Sequence, residues 1–191
     1  MTIIKKAVYF VAEKHDGKYR KGTHVPSFAH SVLVAFDVLK YSSDENLIAA
    51  AILHDVLEDC PRVTKKQLKK IFGDKVAKIV SEVSLTEKRH IKNKIWKEKK
   101  IAYISKIKKA SKESLVVVAA DKINNMTAYF ESVRLYSPQK LSKFFGGTLG
   151  DYFWYYREIL TILKSKIGSH KIVKEYEKIL KYYQSALSPT K

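Results

Sequence analysis

The chain has 191 residues, of which 46% are hydrophobic, and only 7 glycines and 4 prolines. This length suits one domain with a sizeable core, and the composition excludes a disordered chain, a collagen-like repeat and a turn-rich β-sandwich. The formal charge of +18 comes from 37 Lys and Arg against 19 Asp and Glu. Such a field attracts polyanions, although a solvated lysine-rich surface has the same composition.

Hydrophobic periodicity predicts an all-α chain. The expected helices lie at about 2–14, 26–39, 45–59, 64–72, 76–83, 96–109, 115–129, 151–167 and 170–186. Residues 115–120 would also suit a buried strand, but no partner strand is evident, so we expect a helix there. Residues 84–95, including Arg89 and His90, are predicted to form an exposed loop, and Pro138 and Gly146-Gly147 to bracket a short connecting segment.

One cysteine, Cys60, cannot form an internal disulfide bond, which suits a reducing compartment. We interpret it as a small structural residue. The N-terminus has no signal-peptide pattern, and no run of about 18 apolar residues offers a membrane span. We therefore expect a cytoplasmic protein with no membrane partner, and a single domain over residues 1–191.

Polar side chains stand in otherwise apolar helices at His30, His54, Asp55 and Asp121. A buried, unpaired carboxylate costs several kcal/mol, so an ion or hydrogen bonds must compensate it. Two imidazoles with two carboxylates suit Mn²⁺, Fe²⁺ or Zn²⁺ better than Ca²⁺. A single histidine on a helix is more often a core residue, so the hypothesis of a divalent metal site depends on the whole set.

Glu58 and Asp59 follow closely on this motif, before Pro61. If the segment is one helix, His54 and Glu58 stand at i and i+4, as do Asp55 and Asp59. Glu58 and Asp59 could then orient and deprotonate a water molecule or protonate a leaving oxygen. A solvated helix end before a proline would have the same sequence.

The ordered set His30…His54-Asp55…Asp121 resembles the metal signature of the HD-domain phosphohydrolases. His54-Asp55-x-x-Glu58-Asp59 resembles their RelA/SpoT hydrolase branch, which includes the small alarmone hydrolases. Other similar stretches are Arg20-Lys21 before Pro26-x-x-x-His30, Phe72-Gly73-x-x-Val76 and Ala120-Asp121-Lys122-x-x-Asn125. The resemblance covers about residues 3–135, with C-terminal helices at about 150–187 beyond it.

The resemblance implies an HD-domain helical bundle of about eight to ten helices that hydrolyses (p)ppGpp to pyrophosphate and GDP or GTP. It also implies one divalent metal, commonly Mn²⁺, with Fe²⁺ and Zn²⁺ as alternatives. By position it implies these roles: metal ligands His30, His54, Asp55 and Asp121; catalytic Glu58 and Asp59; substrate contacts Arg20, Lys21, Lys122 and Asn125.

The chain also departs from the family pattern. Pro26-Ser27 replaces the usual Pro-Tyr, and Ser31 replaces the proline that often follows the first metal histidine. An aromatic residue for stacking on guanine would have to come from Tyr19 or Phe28. Trp96-Lys-Glu-Lys-Lys100 and Trp154-Tyr-Tyr-Arg157 resemble a subgroup of compact bacterial HD-domain proteins. Tyr156 and Arg157 are further candidates for substrate contacts; as helix aromatics, Trp154 and Tyr155 suit packing.

Alternative functions remain open at this point. One is another HD phosphohydrolase, such as a nucleotidase or an enzyme acting on the 2′-phosphate of NADPH, although the Glu58-Asp59 pair favours the alarmone branch. The other is a nucleic-acid-binding protein with a degenerate site, which the charge would suit. The chain shows neither an RNP-like nor a helix-turn-helix signature, so we expect a phosphorylated nucleotide and no nucleic acid as its partner.

Overall fold

The computed structural model describes residues 1–85 and 95–187, without the side chains of residues 138, 139 and 142. In these ranges all regular structure is helical, apart from an isolated bridge between Tyr19 and Pro26. The helices are α1 (Ile3–Lys14), α2 (Ser27–Leu39), α3 (Glu45–Ile52), α4 (Val56–Asp59), α5 (Lys65–Val83), α6 (Trp96–Ile107), α7 (Lys112–Leu135), α8 (Pro138–Phe145), α9 (Leu149–Ile167) and α10 (Lys171–Leu187). The all-α prediction is confirmed.

The long helix α7 lies at the centre of the bundle and packs against α2, α3, α5, α9 and α10. Its N-terminus is tied to α5, because the carboxylate of Glu82 accepts hydrogen bonds from the backbone and hydroxyl of Ser111 and from the hydroxyl of Ser114. The following residues are all buried up to Asp121, which explains the run of apolar residues there. The fixed start of α7 thereby sets the position of Asp121.

The predicted continuous helix over 45–59 is wrong in one respect. It is interrupted after Ile52, and the short helix α4 begins only at Val56. Asp44 caps α3 through its side chain, which accepts from the N–H of Asn46. Between α3 and α4, Leu53 and Asp55 have ψ values of 1° and −9°, which turn the chain. The i, i+4 relationship between His54 and Glu58 therefore does not hold.

The predicted turn at Gly73 appears as a kink within α5. Gly73 has φ 86° and ψ 171°, a left-handed conformation that glycine adopts without strain. Space is not the reason for glycine, since a Cβ there would meet no atom within 4 Å. Thr64 caps the helix by accepting from the N–H of Gln67, as its position before the helix predicts.

Two segments are predicted to be connections between helices, residues 84–95 and the stretch between Pro138 and Gly146-Gly147. Most of the expected loop at 84–95, including Arg89 and His90, lies outside the described residues. At its start the prediction is wrong, because Ser84 is buried and its hydroxyl donates to the backbone oxygen of His54. The segment between Pro138 and Gly146 is itself helical, as α8.

None of the helices in the described ranges combines the length and the apolar character that crossing a bilayer demands. Long C-terminal helices instead close the bundle with aromatic side chains. Phe130 of α7 stacks against Phe153 of α9 and Tyr183 of α10, with ring centroids 4.8 Å apart in both pairs. This aromatic layer holds α9 and α10 against the helix that carries Asp121.

Candidate metal centre

Three buried side chains from three parts of the bundle meet at one point. His30 comes from α2, His54 from the turn after α3 and Asp121 from the middle of α7. One ligand atom from each lies within 4.8 Å of the other two. The imidazole rings of His30 and His54 are 5.1 Å apart, nearly edge to face. The structure thus brings together three of the four residues that the sequence predicts to share one metal site.

Both histidines direct Nε2 towards this point because Nδ1 is occupied elsewhere. Nδ1 of His54 lies 2.8 Å from the backbone oxygen of Ala51, and Nδ1 of His30 lies 2.6 Å from Oδ1 of Asn124. An oxygen beside Nδ1 holds a proton on that atom, so the neutral imidazole carries its lone pair on Nε2. Burial opposes the charged form of His54, but Asp55 and Asp121 raise its pKa well above the usual value, so an ion at Nε2 would displace a proton. The sequence analysis missed Asn124, although its spacing of three residues after Asp121 places it on a neighbouring part of the same helix face.

Asp55 lies at the edge of the cluster. Its Oδ2 is 3.1 Å from Nε2 of His54 and 3.7 Å from Nε2 of His30. Burial alone would raise the pKa of Asp55, but the opposing interactions with His54 and His30 hold it below its usual value. Asp55 is therefore ionised at neutral pH and in reach of the same ion.

A hydrogen-bonded chain connects Asp121 to the basic loop. Asn125 donates to Asp121 and accepts from Nη2 of Arg20, and Nζ of Lys122 pairs with the Asp121 carboxylate. Burial raises the pKa of an isolated aspartate, but the charge of Lys122 and the contact with His30 hold that of Asp121 well below its usual value. Three predicted substrate-binding residues thus lie beside the cluster.

The side chains of His30, His54, Asp55 and Asp121 have the chemistry that a divalent metal ion requires. Nε2 of His54 is buried and makes no well-aligned hydrogen bond among the described residues, although Oδ2 of Asp55 lies 3.1 Å away, so a further partner would stabilise it. Two imidazole nitrogens and two carboxylates around that atom fit a borderline or hard divalent ion. The four residues could therefore hold one.

In a comparison with protein-family sequence models, the HD-domain family matches residues 7–142 of this chain. That span covers well over half of the chain and includes all four clustered residues. The chain belongs to the HD-domain family. An HD domain implies a divalent metal, which agrees with the cluster.

Relatives of this HD domain include much longer bacterial proteins. The chain is 35% identical over 117 residues to the guanosine-3′,5′-bis(diphosphate) 3′-pyrophosphohydrolase of Haemophilus influenzae. The aligned residues make up 60% of the chain and 17% of that protein. It is 29% identical over 179 residues to the bifunctional (p)ppGpp synthase/hydrolase SpoT of Escherichia coli K12, covering 92% of the chain and 23% of SpoT. The chain thus spans less than a quarter of the length of either relative.

Solved structures support the same fold. A metazoan orthologue of SpoT, described as hydrolysing ppGpp, has a TM-score of 0.72 at 21% identity, with 95% of this chain and 96% of that one covered. A protein from Listeria monocytogenes EGD-e has a TM-score of 0.66 at 25% identity, with 84% and 99% covered. The HD-domain arrangement of helices is therefore shown by structure as well as by sequence.

Glu58 and Asp59 of this HD domain lie on α4, in the turn after Asp55, whose backbone oxygen accepts hydrogen bonds from the N–H groups of both. Desolvation by the surrounding protein, followed by the negative charge of Asp55, raises the pKa of both carboxyl groups. Oε1 of Glu58 accepts a hydrogen bond from the N–H of Leu85, which partly opposes that rise. Carboxyl groups with raised pKa values are suited to exchanging protons near neutral pH.

A histidine that the sequence analysis did not select lies behind Asp59. His15 ends α1 and is 3% exposed, and neither ring nitrogen has a hydrogen-bond partner among the described residues. Its Nε2 is 3.8 Å from Oδ2 of Asp59. Burial lowers the pKa of His15, so the ring is neutral at pH 7. Only its place five residues before Arg20 could have drawn attention to it.

The remaining predicted site residues are placed differently. Lys21 is exposed in the loop before α2 and makes no hydrogen bond or ion pair with the clustered residues in the described part of the chain. Tyr156 is 2% exposed within the aromatic layer, and Arg157 lies on the outer face of α9 beside Gln184 of α10. The structure therefore does not bring Tyr156 or Arg157 to the metal centre.

Cys60 has the structural role expected of it. It is buried, its Sγ lies 3.2 Å from the backbone oxygen of Lys14, and Lys18 donates to it. Lys18 also donates to the backbone oxygen of Asp59. These contacts tie the end of α4 to α1 and the basic loop, so Cys60 helps to hold the catalytic candidates in place.

Proposed function

We propose that this HD domain is a metal-dependent phosphohydrolase that removes the 3′-pyrophosphate of (p)ppGpp and releases pyrophosphate with GDP or GTP. The observation that carries the proposal is the position of Glu58 and Asp59 in the helical turn that follows Asp55, next to the His30–His54–Asp121 cluster, where burial and the charge of Asp55 raise the pKa of both carboxyl groups. The names of the Haemophilus and Escherichia relatives point to the same reaction. Because the chain spans only part of those proteins, their activity is carried over as a proposal.

The proposed metal ligands are His30, His54, Asp55 and Asp121, with Mn²⁺ as the ion and Fe²⁺ or Zn²⁺ as alternatives. A divalent ion here would lower the pKa of a coordinated water and draw electron density from the phosphoryl oxygens. The protein contributes the fixed orientation of its donors, since Ala51 and Asn124 hold the two imidazoles. We propose that these contacts preorganise the site before any substrate binds.

Glu58 and Asp59 are the proposed acid and base. Water attacks the phosphorus attached to the 3′-oxygen, and the bond between that oxygen and phosphorus breaks. One carboxylate takes the proton of the attacking water, and the other carboxyl group gives a proton to the departing 3′-oxygen. Because both carboxyl groups have raised pKa values, each can hold a proton at a pH where an ordinary surface carboxylate would not.

The substrate phosphates have several proposed partners. Arg20 can grip a phosphate with two parallel N–H groups, and Lys21 and Lys122 add positive charge. Asn125 orients Arg20, because its side-chain oxygen accepts a hydrogen bond from the Arg20 guanidinium group. The side chain of Tyr19 is 60% exposed in the same loop and is free to stack on a base, whereas Phe28 packs against the core. We leave Tyr156 and Arg157 out of the proposed contacts because of their placement.

The decisive experiment is a turnover assay with purified protein, ppGpp and Mn²⁺, in which guanine products and both forms of inorganic phosphate are separated. Release of pyrophosphate and GDP in equal amounts supports the proposal. Release of orthophosphate, or turnover without added or bound metal, contradicts it. Loss of activity after treatment with a chelator, and its return with Mn²⁺ but not with Mg²⁺ or Ca²⁺, would support the ion as well.

A second phosphohydrolase activity is worth testing because of one observation. Ser27 stands where the family pattern has an aromatic residue, so the chain has lost one means of selecting guanine. The assay should therefore include a panel of nucleotides and NADPH. A faster turnover of another phosphorylated nucleotide would keep the enzyme class and change the substrate. We also propose a cytoplasmic location and a single domain over residues 1–191.

A further inference from the structure

Lys100, which is not among the predicted site residues, is linked to the candidate metal centre through aromatic rings: the rings of Tyr155 and Tyr103 are 6.3 Å apart, and Lys122, which pairs with Asp121, lies over Tyr103. Lys100 lies on α6, and its Nζ is 4.5 Å from the ring centroid of Tyr155 and 5.4 Å from that of Trp96. Within residues 1–85 and 95–187, no carboxylate lies within ion-pair distance of Lys100, and its amine has no hydrogen-bond acceptor. A partly buried ammonium group that rests on two aromatic rings and finds no anionic partner among those residues is unusual, because its lost hydration is only partly replaced.

The aromatic wall behind Lys100 is held firmly. The Nε1 of Trp96 donates to the hydroxyl of Tyr152 at 3.3 Å, and its ring lies against the backbone of Gly146 and Gly147. A Cβ on either glycine would come within 3.1 Å of the indole ring, and both residues have positive φ angles. Glycine is therefore required for this close approach. The ring of Trp96 in turn fixes the path of the Lys100 side chain.

The charges around Lys100 connect it to the metal centre. Burial, together with the positive charges of Lys122 and Lys21, lowers the pKa of Lys100 to about 8, against the opposing effect of Asp121 and Glu58. Lys122 has its own partner in Asp121, and its Nζ is 4.6 Å from the ring of Tyr103 on the same helix as Lys100. Three lysines, Lys100 included, thus interact at this place with two carboxylates, so the positive charge is in excess.

We propose that Lys100, backed by Trp96 and Tyr155, binds a phosphate group of a pyrophosphate chain beside the metal centre. The ligand would replace the missing hydration of the ammonium group and relieve its repulsion from Lys122. Arg20 is hydrogen-bonded to Asn125, so Arg20 and Lys100 make separate contacts. That the ligand belongs to a nucleotide rests on the proposed function; that a phosphate binds there does not.

The test follows Trp96 as a reporter in a Trp154→Phe background, where Trp96 is the one remaining tryptophan of the sequence. Inorganic pyrophosphate is titrated into the protein as purified, with no metal added, and the fluorescence change is recorded. We expect saturable binding, and at least a tenfold weaker affinity after Lys100→Met, because a charge-assisted hydrogen bond is lost. Lys99→Met is the control, since Lys99 lies on the same helix with no described side-chain contact.

Several outcomes separate the possibilities. Equal affinity in the Lys100→Met and parent proteins overturns the proposal, as does the absence of any fluorescence change with pyrophosphate. An equal loss in Lys99→Met would also overturn it, because general charge would then explain the binding. A lowered melting temperature in Lys100→Met would call for Lys100→Gln, which keeps a polar side chain; if that variant is stable and still binds like the parent, the proposal is wrong.

Turnover gives an independent measurement. With any phosphorylated nucleotide that the protein hydrolyses, we expect Lys100→Met to raise KM about tenfold or more while kcat stays within about twofold, as loss of uniform binding predicts. Absence of ppGpp turnover would contradict the proposed function and leave the pyrophosphate titration unaffected. Normal turnover with no effect of Lys100 in either assay would contradict only the present proposal.

Discussion

Asn124 orients the ring of His30: its side-chain oxygen lies 2.6 Å from Nδ1 of that histidine. The contact holds the ring in the tautomer whose Nε2 is free to bind an ion. Replacing Asn124 with leucine should lower the affinity for Mn²⁺ about 10- to 100-fold, as removal of such supporting contacts does elsewhere. Isothermal titration with Mn²⁺ measures this. Asn124→Asp keeps an acceptor oxygen and should keep most of the affinity; an equal loss in both variants would contradict the explanation.

Glu58 should be needed for chemistry and dispensable for metal binding. Glu58→Gln removes the group that exchanges a proton while keeping its size, so we expect kcat to fall about 10²- to 10⁴-fold. The metal content, measured by elemental analysis, should be unchanged. Glu13→Gln is a matched control, because Glu13 is exposed on α1. Full activity in Glu58→Gln would remove it from the mechanism.

His15 should make the fold sensitive to acid. Because burial lowers its pKa from 6.5, the unfolded chain binds more protons at this residue than the folded one as the pH falls below 6.5. The free energy of unfolding therefore decreases with falling pH. His15→Gln removes this contribution, so it should lose less stability than the parent between pH 7 and pH 5 in chemical denaturation. His24→Gln, in the exposed loop, should behave like the parent. A parent-like pH dependence in His15→Gln would refute the assignment.

Lys100 should titrate far below the other lysines. Its pKa of about 8 means that the ammonium group loses its proton as the pH rises through 8, whereas an ordinary lysine does so above 10. NMR of ¹³C-methylated lysines against pH should show one resonance with a midpoint near 8, which is absent in Lys100→Met. Added pyrophosphate should move that midpoint upward, because a bound anion favours the charged form. A midpoint above 10 would show that Lys100 is fully hydrated.

The metal cluster could be predicted from sequence because its residues conflict with their surroundings. His30 and Asp121 stand within apolar helices, where a polar group needs a compensating partner. Caps and turns were also readable, since Thr64 before a helix and Gly73 within one have direct conformational reasons. These features depend on a residue and its near neighbours, so a single sequence contains them.

Other features depend on contacts between distant parts of the chain. The contact of Asn124 with His30 joins α7 to α2, and that of His15 with Asp59 joins α1 to α4. Neither is visible from spacing. Tyr156 and Arg157 were selected from a local motif, and packing against α7 and α10 decided their positions instead. The break at Leu53 was missed because the sequence has no glycine or proline there, and tertiary contacts override helix propensity.

The break between α3 and α4 has a consequence for protein engineering. A designer who seeks greater thermal stability would be inclined to regularise residues 53–55 into one straight helix, since neither glycine nor proline interrupts the sequence there. Successive residues of an ideal helix are rotated by roughly 100° from each other, so His54 and Asp55 would diverge. Consensus or computational stabilisation of this scaffold should therefore exclude this turn, and combine changes elsewhere with a metal-binding screen, because the more stable product could be an inert bundle.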